Sequence, residues 1–106
     1  MYKGYKDLSG KHWSDIKYSA NRRNISFSKD LTIEYAWDLF IKQDKKCALS
    51  NLDIALYPDV KTRNTASLDR IDSLIGYEIG NVQWLHKNIN NLKCGFSNQE
   101  TVDLCR

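Results

Sequence analysis

Apolar side chains recur at helical spacing between Ser9 and Arg23, where Trp13, Ile16 and Ala20 are separated by three and four residues. This spacing places the three side chains on one face of a helix. Basic and polar residues occupy most of the intervening positions, as on the solvent side of such a helix. The pattern therefore predicts a first helix with one buried face.

A second amphipathic stretch follows Thr32, whose hydroxyl is suited to cap a helix N-terminus. Its apolar stripe consists of Trp37, Phe40 and Ile41. We expect this helix to end near residues 43–46, where the chain becomes polar and charged.

The middle of the chain changes to short extended pieces and turns. Residues 47–54 are typical of a tight hairpin, and the following loop at 57–64 contains the only proline. Alternation from Thr65 to Ile71 predicts a strand. Gly76 and Gly80 then mark a turn.

The remaining pattern predicts a second short strand opened by Asn81, then a helix that runs to about Lys93. The sequence Ser97-x-x-Glu100 is a capping box that predicts a last short helix. We therefore expect a single α+β domain with a helical N-terminal part, a strand–strand–helix core and a C-terminal helix. The expected bounds are 1–106 for the domain and 1–44, 45–94 and 95–106 for its three parts.

The composition fits one folded domain without a membrane span. The chain is 42% hydrophobic and 11% aromatic, which argues against disorder. A net charge of +3 is compatible with nucleic acid but is a weak signal. Three cysteines without a CxxC pair fit a reducing compartment. Because the first residues lack the apolar segment of a signal peptide, we expect a cytoplasmic protein.

The predicted core brings together a carboxylate and an amide. Hydrolysis of a phosphodiester requires a cation that neutralises the phosphate, a base that activates water and donors that hold the phosphate. Mg²⁺ prefers oxygen ligands and usually takes only one or two from the protein. Asp69 on a strand and Asn90 on a facing helix are the obvious pair for such an ion.

A succession of short motifs resembles the ββα-metal core of HNH endonucleases. Leu68-Asp69-Arg70-Ile71-Asp72 is followed by Gly76-Tyr77, by Gly80-Asn81-Val82-Gln83-Trp84 and by Asn90-x-x-Lys93. The similarity is greatest to small phage and bacterial members and to HNH homing endonucleases, and it covers roughly residues 47–93. It implies a metal-dependent DNA endonuclease that hydrolyses phosphodiester bonds and leaves open a phage, mobile-element or host origin.

The resemblance also assigns roles to three residues. It implies that Asp69 and Asn90 bind the metal ion, Mg²⁺ or Mn²⁺. It implies that Asn81 stabilises the loop between the two strands. Plain alternatives are that Asp69 is a strand-end carboxylate, that Asn81 is a turn residue and that Asn90 is a solvent-facing amide.

The chain departs from the family at the residue after the aspartate. Relatives usually have the histidine base there, whereas this chain has Arg70, which cannot accept a proton from water but can hold a phosphate. His86, four residues before Asn90 and therefore expected on the same helix face, is the best substitute. Tyr77 is a weaker candidate. Otherwise the metal ion acts without a protein base, or the site is inactive.

A second departure concerns zinc. Many relatives hold a structural zinc with two CxxC pairs, but here Ser50 accompanies Cys47, and His86 and Ile89 stand where the second pair is expected. One cysteine and one histidine do not make a four-ligand site. We therefore expect no structural zinc, with apolar packing in its place.

Basic residues around the core are candidate contacts to DNA phosphates. Such contacts contribute affinity without sequence recognition. The candidates are Lys11, Arg22, Arg23, Lys87 and Lys93. Outside a nuclease these side chains would ordinarily form a solvated surface, His86 would be a packing residue and Arg70 would pair with Asp72.

Two other functions remain open at this point. One is a nucleic-acid-binding module that keeps the fold after losing the histidine base. The other is an interaction domain without a role in nucleic acid binding. Neither the target sequence nor the oligomeric state follows from the sequence.

Overall fold

The computed structural model describes residues 4–56 and 65–93, in which three helices and two strands form an α+β fold. The elements are α1 (Gly10–Arg22), α2 (Ile33–Lys42), β1 (Ala66–Arg70), β2 (Val82–His86) and α3 (Lys87–Lys93). The strand–strand–helix order confirms the predicted core. The predicted C-terminal helix at 95–106, with Cys94 and Cys105, lies outside the described residues.

The first two helices begin at the predicted caps. The Ser9 side chain accepts a hydrogen bond from the backbone N–H of His12, and the Thr32 hydroxyl accepts one from the backbone N–H of Tyr35. Each bond satisfies one of the free donors that a helix N-terminus exposes. The second helix ends at Lys42 with Gln43 as its C-cap, near the predicted range.

The two strands form an antiparallel sheet whose register pairs Leu68 with Trp84 and Asp69 with Gln83. The helix α3 follows β2 without a loop and contacts both strands. This arrangement places the end of β1 close to the side chains of α3. The register thus explains how residues far apart in the core sequence reach one site.

Trp84 joins the sheet to α2. Its side chain is fully buried, and its indole N–H donates to the Ala36 carbonyl over 2.8 Å. The Gln43 amide bonds both the N–H and the carbonyl of Trp84, each over 2.9 Å. The Gln43 side chain therefore supplies hydrogen-bond partners to the Trp84 backbone on the side of β2 that faces away from β1. Buried backbone groups require such partners.

The loop before β2 is joined to an extended piece of the N-terminal half. Backbone bonds run from Ser28 N–H to Tyr77 O and from Tyr77 N–H to Ser26 O, at 2.8 and 2.9 Å. The Phe27 and Tyr77 rings pack with their centroids 5.4 Å apart. These contacts hold Tyr77 buried.

The segment after α2 forms the predicted tight turn. The Cys47 N–H donates to the Leu52 carbonyl over 2.8 Å, and Asn51 adopts a φ of +63°, which asparagine tolerates well. The Cys47 thiol is free and buried. It therefore contributes to the core.

Candidate metal and phosphate site

The Asp69 carboxylate lies on the β-sheet side of the candidate site and is only 12% exposed. Gln83, its partner across the sheet, donates from its amide to Asp69 Oδ2 over 2.9 Å. Lys93 donates to the same oxygen over 2.6 Å. Neither of these two donors uses Oδ1.

Asn90 lies on α3 and is fixed by β1. Its amide nitrogen donates to the Ser67 hydroxyl over 2.6 Å. This bond orients the side chain and leaves the amide oxygen to other partners, because the oxygen is the acceptor of an amide. Asn90 and Asp69 therefore approach from the helix and the strand of the same core.

A polar cavity of about 350 Å³ connects these two residues with the first helix. Asp69, Arg70 and Asn90 line it from the core, and His12 and Arg23 line it from the side of α1. A second cavity of about 370 Å³ adjoins Asp69, Arg70, Asn90 and Arg23 as well. The predicted metal pair and two arginines thus share one concave surface.

Arg70 is held in place by the loop that follows β1. Its guanidinium donates to the carbonyls of Ser73 and Ile75, over 2.7 and 3.3 Å, and lies 5.7 Å from the centre of the Tyr77 ring. The alternative pairing with Asp72 is not what the structure shows. The remaining guanidinium N–H groups are suited to hold an oxyanion.

Asn81 bonds the loop between the strands at four points. Its side-chain oxygen accepts from the Asp72 N–H over 2.9 Å. Its amide nitrogen donates to the carbonyls of Asp72, Ile75 and Gly76, over 3.1, 3.4 and 2.9 Å. The buried Asn81 therefore stabilises the conformation of the loop that holds Arg70.

The prediction that Lys93 contacts DNA phosphates is wrong. Lys93 is only 3% exposed, and its ammonium donates to Asp69 Oδ2 and to the carbonyls of Arg70 and Ile71. Three acceptors match the three donors of an ammonium. Lys93 therefore positions the end of β1 and the carboxylate, and is not available to a phosphate.

The placement of His86 on the helix is also wrong. His86 is the last residue of β2, where it pairs with Ala66, and α3 begins only at Lys87. Its side chain is buried, and its Nδ1 accepts a hydrogen bond from the Asn88 N–H over 3.1 Å. All five residues of β2 are buried, so hydrophobicity alone does not separate strand from helix here.

The other predicted phosphate contacts lie in different surroundings. Arg23 reaches the cavity, where its guanidinium donates to the Tyr77 hydroxyl over 2.7 Å. Lys11 is exposed and pairs with Asp15. Arg22 is exposed beside the Tyr18 ring. Lys87 is half-buried at the start of α3, and its phosphate contact remains a prediction.

His12 is a site residue that no motif of the sequence indicates. It is half-buried on α1, and its ring packs edge-on at 5.9 Å from the Trp84 ring. Burial lowers the pKa of His12, and the charge of Asp15 opposes that shift in part. Only its helical position and its being one of two histidines are visible in the sequence.

The donor set suits a hard cation with few protein ligands. Within residues 4–56 and 65–93, no group of three or more histidine, cysteine, aspartate or glutamate side chains is arranged to hold a metal ion. One carboxylate and one amide oxygen still meet the usual demand of Mg²⁺, which keeps several waters and binds substrate phosphates. The site therefore fits Mg²⁺ or Mn²⁺ better than a softer metal.

Comparison with solved structures identifies a similar fold. PacI, a rare-cutting HNH restriction endonuclease that exhibits an extraordinary mechanism of DNA perturbation, matches with a TM-score of 0.67 and 21% identity over 98% of this chain and 80% of that chain. No family model and no curated protein sequence matches. The match shows an HNH-type ββα fold, as the sequence motifs imply.

None of the helices in the described part is long and apolar enough to cross a membrane.

Proposed function

We propose that this protein is a metal-dependent DNA endonuclease. The observation that carries the proposal is the convergence of Asp69, Asn90 and Arg70 on one polar cavity of an HNH-type fold. A carboxylate, an amide oxygen and a fixed guanidinium are the groups that cation-assisted phosphodiester hydrolysis needs.

Asp69 and Asn90 would hold the divalent cation. When bound, Mg²⁺ or Mn²⁺ would neutralise charge on the scissile phosphate and on the leaving oxygen. Gln83 and Ser67 orient the two ligands through hydrogen bonds of 2.9 and 2.6 Å. Such supporting bonds maintain ligand geometry and typically affect metal affinity by about 10- to 100-fold.

The Lys93 ammonium limits how strongly Asp69 binds a cation. It lies 2.6 Å from Oδ2 and repels a second positive charge at that oxygen. Oδ1 of Asp69 and the Asn90 amide oxygen would therefore be the protein atoms that hold a cation. We expect metal affinity to rise when DNA is present, because the phosphate supplies negative charge that the protein lacks.

Arg70 and Arg23 would hold the phosphate. Both line the two cavities next to Asp69 and Asn90. Carbonyl oxygens fix Arg70, and the Tyr77 hydroxyl fixes Arg23, so little side-chain entropy is lost when they bind an oxyanion. Arginine remains protonated and acts through charge and hydrogen bonds only.

DNA is the proposed substrate because of charge and of the structural similarity. The chain carries a net charge of +3, and Arg22 and Lys11 are exposed on the helix that lines the site. PacI, the structural neighbour, is an endonuclease that perturbs DNA. These observations support a polyanionic substrate whose backbone approaches α1 and α3.

Cleavage of supercoiled plasmid and of single-stranded DNA tests the proposal. Wild type should cleave with Mg²⁺ or Mn²⁺ and not with EDTA. Asp69→Ala should lose at least about a hundredfold in rate, because the cation supplies several kcal/mol of transition-state stabilisation. The matched control is Asp38→Ala, which removes an exposed carboxylate from α2. Intact DNA under every metal would refute the proposal.

A second candidate function is a nucleic-acid-binding module without catalysis. The ion pair between Lys93 and Asp69 favours it, because an ammonium there already neutralises the carboxylate. Salt-dependent DNA binding that is insensitive to metal, together with no cleavage, would identify this function.

A further inference from the structure

Neither Arg70 nor His86, the two core residues considered for the role, is suited to accept the proton in the reaction. Arg70 cannot accept a proton, and the His86 Nδ1 already accepts a hydrogen bond from the Asn88 N–H. Among the described residues, His86 also lies outside the lining of the two cavities that contain Asp69. A protein base, if the reaction uses one, is therefore a group other than Arg70 and His86.

His12 has an unsatisfied ring nitrogen beside the site. Its Nδ1 is buried and has no hydrogen-bond partner in the described part of the chain, the only such side-chain atom there. Its ring lines the same cavity as Asp69, Asn90 and Arg70. A buried polar atom without a partner is unfavourable. Because Nδ1 is buried, a water in the cavity can reach only the other ring nitrogen, Nε2.

We propose that His12 is the general base of this endonuclease, with Nε2, the ring nitrogen other than the buried Nδ1, as the atom that accepts the proton. The inference rests on the proposed function. It concerns a residue of α1, outside the strand–strand–helix core that carries the resemblance to the HNH family. The packing of α1 against the sheet is therefore part of the catalytic site.

The proposed step balances with water as the only co-reactant. The proton of the attacking water passes to Nε2 of His12 while the water oxygen bonds to phosphorus. The bond from phosphorus to the leaving nucleoside oxygen breaks, and its electron pair stays on that oxygen. A solvent water protonates the departing oxygen, and the hydroxide that results takes the proton back from His12.

The surroundings keep His12 neutral near pH 7, as a base must be. Burial lowers its pKa below the usual 6.5, although Asp15 on the same helix raises it in part. The other charged or titratable groups that line the cavity are Arg23, Asp69, Arg70 and Tyr77. The Asp69 charge is offset by Lys93.

Chemical rescue separates a base from a merely structural residue. Single-turnover cleavage by wild type, His12→Ala, His12→Gln and His86→Gln is measured with Mg²⁺, and circular dichroism verifies folding. Both His12 variants should lose about a hundredfold or more in rate. Added imidazole should restore cleavage by His12→Ala in proportion to its neutral form, because it can enter the vacated volume.

A second readout does not depend on activity. In the absence of DNA, Mn²⁺ should broaden the nuclear magnetic resonance signals of the His12 ring in wild type, because the cation would bind in the cavity that His12 lines. Asp69→Ala should abolish this broadening. Signals of His12 that are insensitive to Mn²⁺ would contradict the shared site.

The outcomes distinguish the inference from the function on which it rests. If wild type cleaves and Asp69→Ala does not, the function stands. Full activity of His12→Ala, a loss that imidazole fails to restore in a folded protein, or a loss confined to His86→Gln would each overturn the role of His12. If wild type does not cleave with any divalent metal, both proposals fall.

Discussion

Individual residues of the site differ in how well the sequence predicts them. Asp69, Asn81 and Asn90 belong to motifs whose spacing spans two strands and a helix. Asp69 and Asn90 line one cavity, and Asn81 bonds the loop between the strands. Lys93 belongs to the same motif, but its burial was not visible, because lysine is usually solvent-exposed. His12 was missed because its cavity forms only when α1 packs on the sheet.

Burial of His12 should make stability depend on pH. Its folded-state pKa is lowered, so the unfolded chain takes up a proton first as pH falls through 6.5. Stability that is present above pH 6.5 should therefore decrease as the pH falls from about 7.5 to about 5.5. Urea unfolding of His12→Gln should show a smaller decrease than wild type over this range. Parallel pH dependence of the two proteins would contradict the prediction.

Replacement of Lys93 should expose the charge of Asp69. Lys93→Met leaves a nearly buried carboxylate without its cation and should reduce the free energy of unfolding by about 3 kcal/mol. Mn²⁺ should stabilise this variant more than wild type, because no ammonium competes for Asp69. Urea unfolding with and without Mn²⁺ measures both effects.

The control for Lys93→Met is Lys46→Met, which breaks the ion pair with the 81% exposed Asp53 side chain. Exposed pairs contribute little to stability, so this variant should unfold almost as wild type does. Equal stability of the two lysine variants would show that the buried ion pair has no special role.

The helices and strands were predictable where a cap or a clear period marks them. The first two helices begin at Ser9 and Thr32 because each side chain bonds a free N–H. The boundary between β2 and α3 was harder to place, because β2 is buried throughout and no loop separates it from the helix. The hydrogen bonds between Gln43 and Trp84 join residues far apart in the sequence, so no local sequence pattern predicts them.

The loop before β2 depends on close contact between Gly76 and Ser26. A Cβ at Gly76 would overlap the Ser26 side chain and lie 2.6 Å from its carbonyl oxygen. Gly76→Ala should therefore destabilise the fold by about 2 kcal/mol through overpacking, as thermal unfolding would show. It should also shift the nuclear magnetic resonance signals of Tyr77 and Phe27.

Gly80→Ala is the matched control for this loop. Gly80 has a φ of +87°, and a methyl group added there would meet no atom within 4 Å. Backbone strain of about 1 kcal/mol is therefore the only expected effect. The Tyr77 and Phe27 signals should stay in place. If the two glycine variants behave alike, the contact with Ser26 does not matter.

The whole molecule joins an N-terminal helix to a strand–strand–helix core. The motifs predicted the core and its class, because spacing within it is local. They did not predict that α1 would complete the cavity, since packing between distant elements depends on the whole surface of each. His12 thus lines the cavity although no local pattern indicates it, and Arg23, a candidate phosphate contact, lines the same cavity.

Binding to duplex DNA in EDTA should depend on salt through the exposed cations. Arg22→Ala should lower the slope of log affinity against log salt by about 0.9, the value for one phosphate contact. Lys42→Ala on α2 is the control and should leave the slope unchanged, because α2 does not line the cavity. Fluorescence anisotropy at several salt concentrations measures the slopes. Equal slopes for the two variants would exclude Arg22 from the DNA interface.

A cation between Asp69 and Asn90 should drive cleavage, and a Mn²⁺ titration of the single-turnover rate is the decisive measurement. Wild type and the control Asn88→Ala, which alters an exposed amide of α3, should follow one saturable curve. Asn90→Ala should need more Mn²⁺ for the same cleavage rate. The cleavage rate of Asp69→Ala should not rise with Mn²⁺ concentration. A wild-type rate that does not change between EDTA and saturating Mn²⁺ would contradict this role of the cation.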